Sequence, residues 1–388
     1  MSCMSLRDRC VYVLLIFSIV LIPCKTLKAK SRSDSPAKPA AVIGACLPLT
    51  GNASVGQVQR QALLVAQRIK PLVADEPVEL IIKDTQGTAF GTRNAVRSAL
   101  EDHHVTAFIG GTTTDEAAAM LDVVGREHKR KANLIPLVVT TADGPFSDAS
   151  IKPWRISAPL MVKARAAAGF AVDKLKATRA GILVDPADAD SVRLASIFSS
   201  AMIAKGGVVA EIAYIGKSED TFRIALAVLA NKKVDVIFLP GERRAPQVIV
   251  FSRDQGVKTP FLLADVTQEN GFIKAVGASK DVYVVTDYHP AFALGDYARR
   301  FLDLYRQQYG EPDTIAALTA DAYFLLCDAL PFWRTGKGRH PQVPSSAFKQ
   351  KGYLSGSLDV TGDGEILRNV YVSVVHASRL KCLEALKP

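Results

Sequence analysis

From Ala41 onward, short β-branched apolar runs alternate with longer stretches whose apolar residues recur at helical spacing. The strand candidates are, in order, AVIGACLPL, VELIIK, VTAFIG, LIPLVVT, AGILVD, GVVAEIAYI, VDVIFLP, PFLLAD and DVYVVTDY. Between them the spacing predicts helices over 57–70, 91–103, 115–130, 160–175, 190–205, 219–231 and 244–255. Such alternation marks βαβ units in a mostly parallel sheet, because parallel neighbours need a long crossover between them. Nine strands are too many for one simple sheet. They divide near Trp154-Arg155-Ile156-Ser157, where a short extended piece follows a turn-rich loop and a fresh β/α series begins at Arg179. Two long helical runs, 292–309 and 315–333, then precede Gly/Ser-rich strands over 353–375. The pattern is that of two similar α/β lobes.

The first forty residues stand apart from this pattern. Arg7 and Arg9 precede an apolar run from Val11 to Ile22, a basic region followed by an apolar stretch of signal-peptide length. Residues 1–30 are therefore expected to be a signal peptide or N-terminal anchor, with Cys24 a candidate for lipid attachment. The polar, Pro-rich residues 31–40 read as a linker. A length of 388 residues with 48% hydrophobic and 22% charged residues has the material for a sizeable core. The formal charge of +10 owes much to the leader, and no basic run with interleaved aromatics follows it, so a nucleic-acid partner is not expected. Beyond the leader, Cys46, Cys327 and Cys382 have spacings unlike any metal site, and the first two lie in apolar segments that favour buried packing.

In an open parallel sheet, ligands sit beyond the carboxyl ends of the strands, where loops lead into helix N-termini. That rule selects loops 48–56, 110–115, 140–148, 185–190, 239–244 and 264–268. The second holds the stretch IGGTTTDE, with Thr112, Thr113 and Thr114 entering a predicted helix. Two uses are open to these hydroxyls. They could hold a carboxylate or phosphate at the helix N-terminus, or one could simply cap the helix with Glu116 completing the arrangement.

Several of these segments together resemble one family. Ile43-Gly44-Ala45-Cys46-Leu47-Pro48-Leu49-Thr50-Gly51 is similar to the opening strand and loop of type I periplasmic binding proteins of the branched-chain amino-acid-binding kind. Lys83-Asp84-Thr85, IGGTTTDEAAA, IPLVVTTADGP, TPFLLAD, PDTIAALTADAYFLLCDAL and SLDVTGDGE follow in the family's order over residues 41–375. The resemblance implies an α/β fold of two Rossmann-like lobes joined by a three-stranded hinge, closing on a small amino-acid-like ligand for an ABC permease. It implies a monomer with no catalysis, no cofactor and no metal. It assigns 41–157 with 288–338 to lobe 1 and 158–287 with 339–388 to lobe 2, with crossings near 155–160, 286–291 and 335–350. The ligand contacts it implies are Thr112, Thr113, Thr114, Thr141, Ala142 and Asp143 on lobe 1 and Asp265, suited to an ammonium, on lobe 2. Val55, Ala189 and Glu242 lie in the remaining candidate loops. Asp143 stands where the family has Thr, so it is expected to turn away, to face an ammonium, or to report a different ligand. The aromatic residues usual in the loops at 185–190 and 239–244 are missing, which loosens the tie to branched-chain ligands.

Other functions find less support. No GxGxxG, GxxxxGK[ST] or GxSxG opens a helix after a strand, so the chemistry of dehydrogenases, kinases and hydrolases is missing from the sequence. Asp359 to Gly364 imitates the first half of a calcium loop, but position twelve is Val370 instead of Glu, so a tight turn is expected there. A sensory ligand-binding module on the same fold is the remaining alternative. The leader implies a periplasmic or extracytoplasmic location.

Overall fold

The computed structural model describes residues 41–131, 135–144, 146, 151–241, 243–335, 343–348, 352–356, 358–360 and 366–387. The leader, Cys24, the linker, Glu242 and the turn at 361–365 lie outside the described residues. Lobe 1 is built on a six-stranded sheet of order β2-β3-β1-β4-β5-β6, with β1 Ala41–Leu47, β2 Leu72–Val73, β3 Glu76–Asp84, β4 Ala107–Gly110, β5 Leu137–Val139 and β6 Trp154–Arg155. Every pairing in it is parallel except the two-residue edge strand β2 on β3. Helices α1 Ala53–Ile69, α2 Ala89–Asp102 and α3 Thr114–Lys131 connect these strands. Lobe 2 carries a seven-stranded sheet of order β15-β14-β11-β10-β9-β7-β8. Its strands are β7 Arg179–Val184, β8 Val208–Tyr214, β9 Val236–Phe238, β10 Phe261–Ala264, β11 Val282–Thr286, β14 Val370–His376 and β15 Arg379–Leu386. The first five of these are parallel, and the terminal hairpin β14–β15 adds antiparallel on the edge of β11. Helices α4 Leu160–Asp173, α5 Ala189–Ala204, α6 Glu219–Asn231, α7 Ala245–Asp254 and α8 Glu269–Val276 belong to this half.

Each sheet is buried on both faces, so its strands read as continuous apolar runs. The chain returns to lobe 1 for α9 Asp296–Tyr309 and α10 Thr314–Thr335, which pack with α1 over one face of the first sheet. The Thr314–Trp333 stretch has the length and hydropathy of a membrane span, yet 89% of it is buried inside the protein, and it serves as the core helix of this lobe. Cys46 and Cys327 are packed into the two cores of lobe 1, and burial pushes the Cys46 thiol up to about 12.

The last boundary differs from the one expected from sequence. Ala347, Phe348, Tyr353, Leu354, Leu358 and Ile366 all pack in the lobe 1 core, the last two from a small hairpin of β12 Leu358–Val360 and β13 Ile366–Arg368. Val370 already belongs to the lobe 2 core. The third crossing thus lies at 367–369 rather than 335–350. The segment 335–350 is rich in Gly and Pro, but apolar side chains decide which lobe a segment joins.

The three crossings meet at one buried ion cluster. Ile156 packs with lobe 1 and Ala158 with lobe 2, and between Val285 and Tyr288 the chain passes back. Arg368, 2% exposed, donates to the carbonyls of Ile156 and Asp287, the latter at 2.8 Å. Asp287 accepts in turn from the amide of Ala158 at 2.8 Å. Away from the hinge, Glu269 of α8 accepts from the amide of Thr314 at 2.8 Å and from its hydroxyl, so a lobe 2 carboxylate caps the start of α10 in lobe 1. Trp154 stands edge-on to Trp333, with ring centroids 5.4 Å apart, just before the first crossing.

Candidate functional site

On lobe 1 the strand-end loops form a wall of hydroxyls tied together by one buried amide. Gln59 of α1 is fully buried; its Nε2 donates to Thr140 Oγ1 at 3.2 Å, and its Oε1 accepts from Thr112 Oγ1 at 3.2 Å. Thr141 Oγ1 donates to the carbonyl of Thr112 at 2.7 Å, joining the loops after β4 and β5. The turn before α3 needs the glycine at 111, whose φ is +68°; a Cβ there would also lie 2.9 Å from that of Ala117.

The three threonines divide their work. Thr113 is the cap: its hydroxyl accepts from the amide of Glu116 at 3.3 Å, and Glu116 Oε2 accepts from the amide of Thr113 at 3.1 Å. Glu116 is buried and also accepts from Thr85 Oγ1 at 2.5 Å, which anchors α3 to the end of β3. Thr112 is committed to Gln59. Thr114 Oγ1 is buried and, of the expected ligand contacts among the described residues, is the side-chain polar atom left without a partner.

On lobe 2 the corresponding loops are ionic. Asp185, after β7, binds Arg243 at 2.8 Å and Arg244 at 2.6 Å, from the loop after β9. Burial works against the Asp185 carboxylate, but the two guanidinium groups and the amide of Ala187 hold it below its ordinary range. Asp188 caps α5, accepting from the amides of Asp190 and Ser191 at 3.1 and 3.3 Å. Asp265, after β10, has a left-handed φ of 65° and pairs with Lys163 of α4 at 2.5 Å. Lys163 is 1% exposed and also pairs with Asp287 at 2.6 Å. Burial alone would lower its affinity for a proton, but the two carboxylates outweigh burial and raise it, so the ammonium stays charged.

Asp143 joins the two sets of loops. Its Oδ1 accepts from the amide of Leu160, the first residue of α4, at 2.9 Å, and its Oδ2 is paired with Arg193 of α5. Both partners belong to lobe 2. Arg155 holds the carbonyl of Asp143 at 2.7 Å from the side of the first crossing.

The remaining expected contacts fall as follows. Ala142 is buried and its amide donates to the carbonyl of Gly111 at 3.2 Å; Ala189 is exposed at the start of α5; Val55 is buried in the first turn of α1. Sequence reasoning missed Lys163, Arg193 and Arg155. Lys163 had one signal, a lone cation sharing a helical face with Leu160 and Ala167, both buried.

The chain matches the family model described as periplasmic binding protein over residues 41–331. Comparison with curated proteins returns no match. Among solved structures it is similar to the leucine-binding protein LivK of Thermotoga maritima, with TM-score 0.75, 24% identity, and 90% of this chain and 99% of that chain covered. It is similar to LivJ of Streptococcus pneumoniae in complex with isoleucine, with TM-score 0.75, 18% identity and coverage of 90% and 100%. A solute-binding protein of R. palustris in complex with benzoate gives TM-score 0.71, 17% identity and coverage of 90% and 97%. These likenesses establish the two-lobed α/β fold.

Proposed function

Because the chain belongs to the periplasmic binding protein family, whose members bind and do not catalyse, we propose that it captures a small amino-acid-like or related carboxylate ligand between its lobes and delivers it to an ABC permease. The family places it outside the cytoplasm. The observation that supports this reading is Asp143, whose contacts with Leu160 and Arg193 link a strand-end loop of lobe 1 to the starts of α4 and α5 in lobe 2. In this reading Thr114, Thr112, Thr141, Ala142 and Asp143 line the lobe 1 side, with Thr113 fixing the helix end between them. Asp265 and Ala189 line the opposite side, and Val55 supports the loop after β1.

Closure requires contact with both lobes, since only a ligand that binds the closed form better can shift the equilibrium toward it. Native mass spectrometry of the full chain, purified without refolding, is the test, followed by a thermal-shift panel of leucine, isoleucine and benzoate. A bound small carboxylate is expected, and its addition at a hundred times Kd should stabilise the fold by about 2.7 kcal/mol. A protein that carries no small molecule and responds to no carboxylate would refute the reading.

A further inference from the structure

Among the described residues, Asp143, Asp185, Asp265 and Asp287 stand at strand ends or crossings, and each is held by a cation of the protein itself. Asp143 has Arg193 and the start of α4. Asp185 has Arg243 and Arg244. Asp265 and Asp287 share Lys163, whose ammonium is sealed from solvent. An ammonium approaching these four acids would find their carboxylates already neutralised, and a desolvated charge without a partner is costly. Asp190 is the least compensated acid nearby, sharing Arg193 at 3.2 Å, but its side chain is 46% exposed, so it is a hydrated surface carboxylate.

The cations have capacity to spare. Each guanidinium has five N–H donors, and the side chains of Arg193 and Arg243 are 37% and 54% exposed. Thr114 adds a buried hydroxyl without a partner at the opposite helix end. We propose that the ligand of this cleft is a carboxylate that carries no amine, and that Lys163 sets this preference by filling the cation position beside Asp265. The proposal rests on the solute-binding reading above and narrows it.

Matched pairs that differ only by the α-amino group test it: leucine against isocaproate, and phenylalanine against hydrocinnamate, titrated by calorimetry into the full chain. The amine-free member of at least one pair is expected to bind more tightly by about tenfold or more. Equal or tighter binding of the amino acids overturns the proposal while leaving solute binding intact. Binding of neither member of either pair, nor of benzoate, overturns the carboxylate reading and this proposal with it.

Lys163→Met frees Asp265 and should shift the ratio toward the amino acid by about tenfold or more, whereas Lys163→Arg, which keeps a cation, should preserve the wild-type preference. A folded Lys163→Met protein with an unchanged ratio would remove Lys163 from the account. If circular dichroism shows that variant unfolded, the wild-type ratio still decides the ligand class.

Discussion

The two walls of the cleft are built on opposite principles. Apart from Asp143, the lobe 1 wall is made of neutral hydroxyls and one amide, joined by short-range capping and the Gln59 bridge. The lobe 2 wall is made of ion pairs, and through Lys163 and Asp287 it runs without a break into the hinge. A hydroxyl wall can lose one group and keep its shape. A buried ionic wall cannot, because removing one partner strands the other. Substitutions on lobe 1 should therefore act mainly on the ligand, and those on lobe 2 on the fold and the ligand together.

The sharpest way to break this contrast is at Arg368. Replacing it with Leu leaves the buried carbonyls of Ile156 and Asp287 without their donor and removes one of the two cations beside the Asp287 carboxylate, and is expected to cost about 3–5 kcal/mol in urea unfolding. A loss below 1 kcal/mol would show the hinge cluster to be dispensable.

Glu269 should come next. Burial and the nearby Asp313 raise its carboxyl well above the ordinary 4.5, despite the bonds from Thr314. An acid whose folded pKa is raised holds its proton longer in the folded state, so its stabilisation is complete below 4.5 and is lost as pH rises through the raised value. Unfolding free energy should therefore fall over that window by up to about 1.4 kcal/mol per pH unit from this group. Glu269→Gln should flatten the slope, as chemical denaturation at several pH values would reveal.

The bond across the walls should matter less. A double-mutant cycle of Asp143→Ala and Arg193→Ala is expected to give a coupling of about 1 kcal/mol, reduced by the solvent exposure of Arg193. Zero coupling would mean that the two loop sets meet without energetic consequence. The smallest effects belong to the threonines, where they sharpen the contrast most. Thr113→Ala should cost about 1 kcal/mol of stability through the lost cap. Thr114→Val should leave thermal stability nearly unchanged yet weaken ligand binding by about tenfold. The reverse pattern would exchange their roles.

The same contrast explains what could be read from sequence. All nine strand candidates are strands of the two sheets, because fully buried parallel strands write themselves as apolar runs. The cap at Thr113 and Glu116 was legible because it is local. The eight residues of α8, with Gly271 among them, make too short a periodic run, and β15 shows only a half-exposed alternation broken at Leu383 and Glu384. The ionic wall was invisible for a different reason. Lys163 and Asp265 are 102 residues apart, and Arg368 reaches across 212 to Ile156, so no spacing along the chain encodes them. Asp143 could be flagged as unusual, but its partners come only from the converged fold.

The chain has just two tryptophans, and they touch. Trp154 immediately precedes the crossing whose carbonyl at Ile156 is held by Arg368, while Trp333 lies near the end of the lobe 1 core helix. The intrinsic fluorescence of the protein is therefore one signal from one place, weighted toward the hinge and blind to most of either lobe. A ligand that swings the lobes should change that emission without any attached dye, and a ligand that settles on one wall alone should leave it as it was.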